Sequence, residues 1–173
     1  MNKGRAAKAA KSARKDSGLT QLQLSMDIDY SREAVSKQEH GEYRVQPELA
    51  KHYTTRHQNP WVAMEAAHEY TGWGPVKLDG DLVDLHRSSV KAKAIEELQE
   101  AIDAIENIDV VNHPNSLASF ERKNVEDALE EVVEAITASN HLVAVLCAEY
   151  AFKWDKVWSD HTRQLKAKGY VKS

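Results

Sequence analysis

A single cysteine, Cys147, in 173 residues excludes an internal disulfide framework. The eight histidines are scattered, and no pair of them has a convincing zinc spacing with the lone Cys147. No glycine-rich phosphate loop, activated nucleophile or catalytic triad pattern is present among the seven glycines and the polar residues. No apolar run approaches membrane length. These absences lead to the expectation of a cytoplasmic protein that is not an enzyme, with no cofactor, no metal and no membrane partner. The length suits one small domain plus a second helical one.

Charge is present but unevenly placed. Residues 1–59 carry 11 lysines and arginines against 7 acids, whereas the remainder carries 12 against 20, so local balances of +4 and −8 underlie the net −4. Attraction to a polyanion needs local positive charge, because screening confines it to roughly 10 Å at ordinary salt. Six basic residues, Lys3, Arg5, Lys8, Lys11, Arg14 and Lys15, precede the first acid, Asp16. Alanines between them favour helix. The segment reads equally as a basic arm or first helix along phosphates and as a solubilising, frayed terminus. It lacks the large apolar residues of a mitochondrial presequence.

The stretch from Leu19 to Gly41, LTQLQLSMDIDYSREAVSKQEHG, carries the strongest pattern. Thr20 followed by Gln23 is a capping box, which predicts a short helix from about Gln21. Leu24 and Ile28 share its apolar stripe. Asp29 and Tyr30 interrupt the pattern, and Ser31 supplies a second N-cap. A second short helix is predicted from Arg32 to about His40, with Val35 inward, polar side chains elsewhere, and Gly41 as a left-handed stop. Two short helices around a tight turn, the second rich in long polar side chains, form a geometry that fits a helix into the major groove. An ordinary helical hairpin has the same spacing.

The residues themselves add to the spacing. Leu19, Thr20 and Gln21, then Leu24, Ser25, Ile28, Ser31, Arg32, Val35, Ser36, Lys37, Glu39 and Gly41, resemble the Cro/C1-type, lambda-repressor-like helix-turn-helix of phage repressors and xenobiotic-response-element regulators. The resemblance implies that Gln21 touches DNA backbone and braces the reading helix, and that Ser31, Arg32, Ser36 and Lys37 face phosphates or base edges, with Arg32 able to pair bidentately with guanine. Glu33 departs from the family's commoner small or polar residue; it would accept from a cytosine amino group or repel phosphate. Asp29 stands where the family prefers glycine, and aspartate tolerates the left-handed turn. Glu39 ties the domain together rather than reading DNA. Arg44, in the following loop, is placed for phosphate or for solvent.

Further helices are predicted from Pro47 to about His57 and from Pro60, after Asn59, to near Gly72. Leu49, Tyr53, Trp61, Met64 and Tyr70 are their packing residues. A composition shift across 72–89 marks a linker, in which Asp79 and Gly80 form either a small β-hairpin turn or part of an extended segment. Asp79, Asp81 and Asp84 lack the ordering of a calcium loop. From Val90 the chain is again helical, with Ile95, Leu98, Ile102 and Ile105 as one stripe fading near Asn107. After a break at 112–116, Ser116 or Ser119 caps a long helix bearing Val125, Leu129, Val132 and Ile136, bent near Ser139 and Asn140. A shorter helix spans about Trp154 to Lys168. Such stripes exceed what a hairpin can hide, so a homodimer or higher homo-oligomer is expected.

The resulting expectation is an all-α chain with a DNA-binding domain at 1–71, a linker at 72–89 and a self-association or partner-binding domain at 90–173. It would act as a transcriptional regulator, dimeric on a palindromic operator in double-stranded DNA and open to a protein regulator. One competing reading is an adaptor or anti-repressor that keeps the fold without reading DNA. Another is a hydrolase: Glu96, Glu97 and Glu100, with Glu126, Glu130 and Glu134, faintly resemble the magnesium-holding helices of MazG-like nucleotide pyrophosphohydrolases. These glutamates fall largely opposite the aliphatic stripe, where a solvated face accounts for them more simply.

Overall fold

Ala6, Ala10 and Ala13 recur at three- and four-residue intervals, and in the computed structural model, which describes residues 4–172, they are the buried face of helix α1 (Arg5–Asp16). Lys3 lies outside the described residues. Alanine is therefore more than a helix former here: its short side chain lets neighbouring helices approach α1 closely. The described residues contain eight α-helices, one 3-10 turn and no strand.

Contacts divide the chain into two units, residues 1–77 with 146–173 and residues 78–145. Residues 90–145 thus fall in the second unit and 146–173 in the first. In the first unit α1 is followed by α2 (Gln21–Asp27), α3 (Arg32–Glu39), α4 (Pro47–Arg56) and α5 (Pro60–Thr71), with α8 (Trp154–Ala167) packed on α4. Its core joins the α1 alanines to Leu24, Val35, Val45, Leu49, Tyr53 and Val62. Met64 is buried too, whereas Trp61 is half-buried and Tyr70 exposed. Two ion pairs lock the unit. Arg5 meets the buried Glu65 at 2.8 Å and also donates to the Lys77 carbonyl; Arg14 meets the buried Glu39 at 2.6 Å.

The second unit contains α6 (Arg87–Glu106) and most of α7 (Ser119–Glu149). α7 begins at Ser119 itself, so neither expected serine is its cap; Glu121 instead accepts from the Ala118 amide at 2.6 Å. It runs unbroken past Ser139 and Asn140. By length and composition alone it could cross a membrane, which corrects the expectation that no stretch reaches that length. Glu131, Glu134 and His141 on the same helix are costly groups for a bilayer.

Of the two readings of Asp79 and Gly80, the β-hairpin does not occur among the described residues. The Leu78 amide donates to His141 Nε2 at 3.0 Å, and Val83 bonds to the Gly80 carbonyl in a turn, so no ladder forms. Within α6 the buried residues are Val90, Ala94, Glu97 and Ala101, and Ala128 and Ala135 are buried on α7. The α6 stripe stays outside, with Ile95, Leu98, Ile102 and Ile105 at 59%, 46%, 48% and 50% exposed; on α7, Leu129 and Ile136 are 60% and 46% exposed, whereas Val125 and Val132 are half-buried. Glu97 departs from the solvated-face account, being almost fully buried.

Candidate nucleic-acid interface

The α2–α3 pair is built by local chemistry. Thr20 Oγ1 accepts from the Gln23 amide at 3.1 Å and Gln23 Oε1 accepts from the Thr20 amide at 2.9 Å, completing the box that starts α2. Asp29 then adopts φ +56°, a left-handed conformation that a short polar side chain tolerates. Ser31 Oγ accepts from the Ala34 amide at 3.0 Å and starts α3. Gly41, at φ +74°, ends the segment.

One side of α3 is held from behind. Val35 is fully buried, and Gln38 Oε1 accepts from the Gln46 amide at 2.8 Å, fixing the loop that follows. Glu39 receives three hydrogen bonds: Arg14 Nε at 2.6 Å, Arg14 Nη2 at 2.9 Å and Gln21 Nε2 at 2.9 Å. Arg14 also donates to the Leu19 carbonyl at 2.8 Å. One carboxylate thereby joins α1, α2 and α3, and a helix so tied presents its outer face as a rigid surface. Burial pushes the Glu39 carboxyl up, but the bonds from Arg14 and Gln21 outweigh it and hold the group below the usual range. The same bond raises the Arg14 guanidinium.

The remaining candidates are the more accessible residues of the helix. Ser31, Arg32 and Glu33 are exposed, while Ser36 and Lys37 are half-buried. Gln21 and Arg32 flank one shallow cleft together with Leu19, Thr20 and Leu22. Although Ser31 oxygen is used by the helix cap, its hydroxyl proton remains able to donate to an anion. Ser36 Oγ lies 3.3 Å from His40 Nδ1, which donates to the Ser36 carbonyl at 2.7 Å. Glu33 Oε1 pairs with Lys37 Nζ at 2.8 Å, one helical turn away. That contact lowers Glu33 and raises Lys37, and Lys37 also sits 5.4 Å from the centre of the Tyr43 ring.

Arg44 is placed differently. It is exposed, with its guanidinium 5.9 Å above the Tyr70 ring of α5. Among the basic residues of α1, Arg5 and Arg14 are engaged in internal ion pairs. Lys8, Lys11 and Lys15 lie on the face away from the buried alanines, at three- and four-residue intervals. Tyr43, beside Lys37, and Arg14, behind α3, belong to the site although the sequence pattern did not single them out for it. Arg14 sits 25 residues from Glu39, beyond the reach of local spacing. No family model, curated protein or solved structure matches this chain. The case for function therefore rests on the residues and their geometry.

Proposed function

We propose that this chain is a sequence-specific DNA-binding transcriptional regulator of the phage or bacterial repressor kind, acting as a dimer on a palindromic operator. The observation that carries the reading is the anchoring of α3: Val35, Gln38 and Glu39 are buried, while Ser31 and Arg32 at its N-terminal end are exposed and Ser36 and Lys37 are half-buried. A rigid short helix bearing guanidinium, ammonium and hydroxyl groups meets the chemistry of phosphates and guanine edges. The sequence resemblance to Cro/C1-type repressors covers the same residues. Lys8, Lys11 and Lys15 on α1 add positive charge to the same unit, and the Gln21 bond to Glu39 is consistent with the bracing role that the resemblance implies for it.

Pairing is part of the proposal. The exposed aliphatic stripes of α6 and α7 favour a second copy as their cover. Two copies place two reading helices on half-sites about 34 Å apart, one turn of DNA.

Selection from random duplex DNA at low salt tests the reading directly. The expected result is an enriched palindrome whose binding weakens steeply with salt and whose selectivity is lost in Arg32→Ala. No enrichment of any sequence would leave the adaptor or anti-repressor as the better account. A second measurement concerns Glu33. Its carboxylate competes with phosphate for Lys37, so Glu33→Gln is expected to tighten non-specific DNA binding and steepen the slope of log K against log salt by about 1. An unchanged slope would show that Lys37 makes no phosphate contact.

A further inference from the structure

Three carboxylates converge between α6 and α7: oxygens of Glu97, Glu131 and Glu134 all lie within 4.8 Å of one another. Glu97 is the informative member. It is 4% exposed, and its Oε2 has no hydrogen-bond partner. A buried carboxylate oxygen left unpaired is costly, since it has surrendered water without a replacement. Lys93 does not remove the problem. Its ammonium meets Glu97 Oε1 at 2.7 Å and Glu96 at 3.1 Å, leaving the other Glu97 oxygen untouched and its own single charge shared.

We infer that Glu97, Glu131 and Glu134 form a binding site for a hard divalent cation that clamps α6 to α7. Oxygen-only ligands of this kind suit Ca²⁺, Mn²⁺ or Mg²⁺, whose metal–oxygen distances of about 2.0–2.6 Å place ligand oxygens within the observed spread. Burial is graded across the site: Glu97 is buried, Glu131 half-buried and Glu134 exposed, so the inner side is closed and the outer side keeps room for metal-bound water. The cation supplies the missing partner for Glu97 Oε2 and relieves the repulsion between the helices. It also fixes the relative setting of α6 and α7, the two helices that carry the exposed aliphatic stripes.

The test uses the full chain stripped of metal with a chelator, titrated with Mn²⁺ by calorimetry and by loss of the free-ion electron paramagnetic resonance signal, with Ca²⁺ and Mg²⁺ as competitors. Saturable binding of a single Mn²⁺ per chain is expected, together with a higher unfolding temperature in its presence. Glu97→Gln and Glu134→Gln are each expected to weaken binding by at least about tenfold, whereas Glu48→Gln, in the other unit, leaves it unchanged. Glu134 is exposed, so its substitution keeps the fold and the test stands even where Glu97→Gln disturbs folding. Absence of saturable binding, or binding that Glu134→Gln leaves intact, overturns the inference.

Discussion

Replacing Arg14 with methionine is expected to lower the stability of the helical unit that holds α3 by about 3 kcal/mol near neutral pH, because a buried carboxylate loses its counter-charge. Thermal unfolding followed by circular dichroism should show a drop of about 10 °C. The cause can be separated from lost packing by pH. In the native chain Glu39 is held below its ordinary value, so its ionisation stabilises the fold above the unfolded pKa of about 4.3, and that contribution disappears as pH falls through the lower folded value. Without Arg14 the burial that already pushes Glu39 up is opposed by Gln21 as the remaining hydrogen-bond donor. The folded pKa then rises above the unfolded one, and protonation favours the fold. The deficit of Arg14→Met relative to the native chain should therefore shrink as pH is lowered from about 7 to 5. A deficit independent of pH would assign the loss to packing of the arginine stem instead.

This pair also marks where the sequence stopped being legible. Thr20 with Gln23, Ser31, Asn59 and the left-handed glycines Gly41 and Gly72 all do in the structure what their local chemistry predicts, since a cap or a positive φ is decided within a few residues. The outward set Ser31, Arg32 and Glu33 was legible for the same reason. Arg14 was not. Its charge read as part of a basic segment facing either phosphates or solvent, and only the fold brings it to Glu39. The α1 alanines misled in the same way, because a small side chain carries little apolar signal even when it is the contact face. In α6 the converse occurred: Ala94, Glu97 and Ala101 are buried while the isoleucines of the obvious stripe are exposed. Hydrophobic periodicity finds a face that wants covering, but it does not say whether the cover is the next helix or another molecule.

That distinction gives the prediction with the largest expected effect. Ile95, Leu98, Ile102 and Ile105 lie along one side of α6, each about half exposed, and a monomer gains nothing from displaying them. The double substitution Leu98→Asp with Ile102→Asp is expected to shift the full chain from dimer to monomer in sedimentation equilibrium while leaving its helicity unchanged, because neither side chain belongs to the buried face formed by Val90, Ala94 and Ala101. Operator affinity should fall with it. Once one reading helix is bound, its partner's encounter with the second half-site is intramolecular, and losing that advantage costs about 10²–10⁴-fold in overall binding. Affinity for an isolated half-site should stay near the native monomer's value, since α3 and its anchors Val35, Gln38 and Glu39 are untouched. A double variant that remains dimeric would move the interface off α6, and one that turns monomeric yet keeps full operator affinity would separate pairing from DNA recognition.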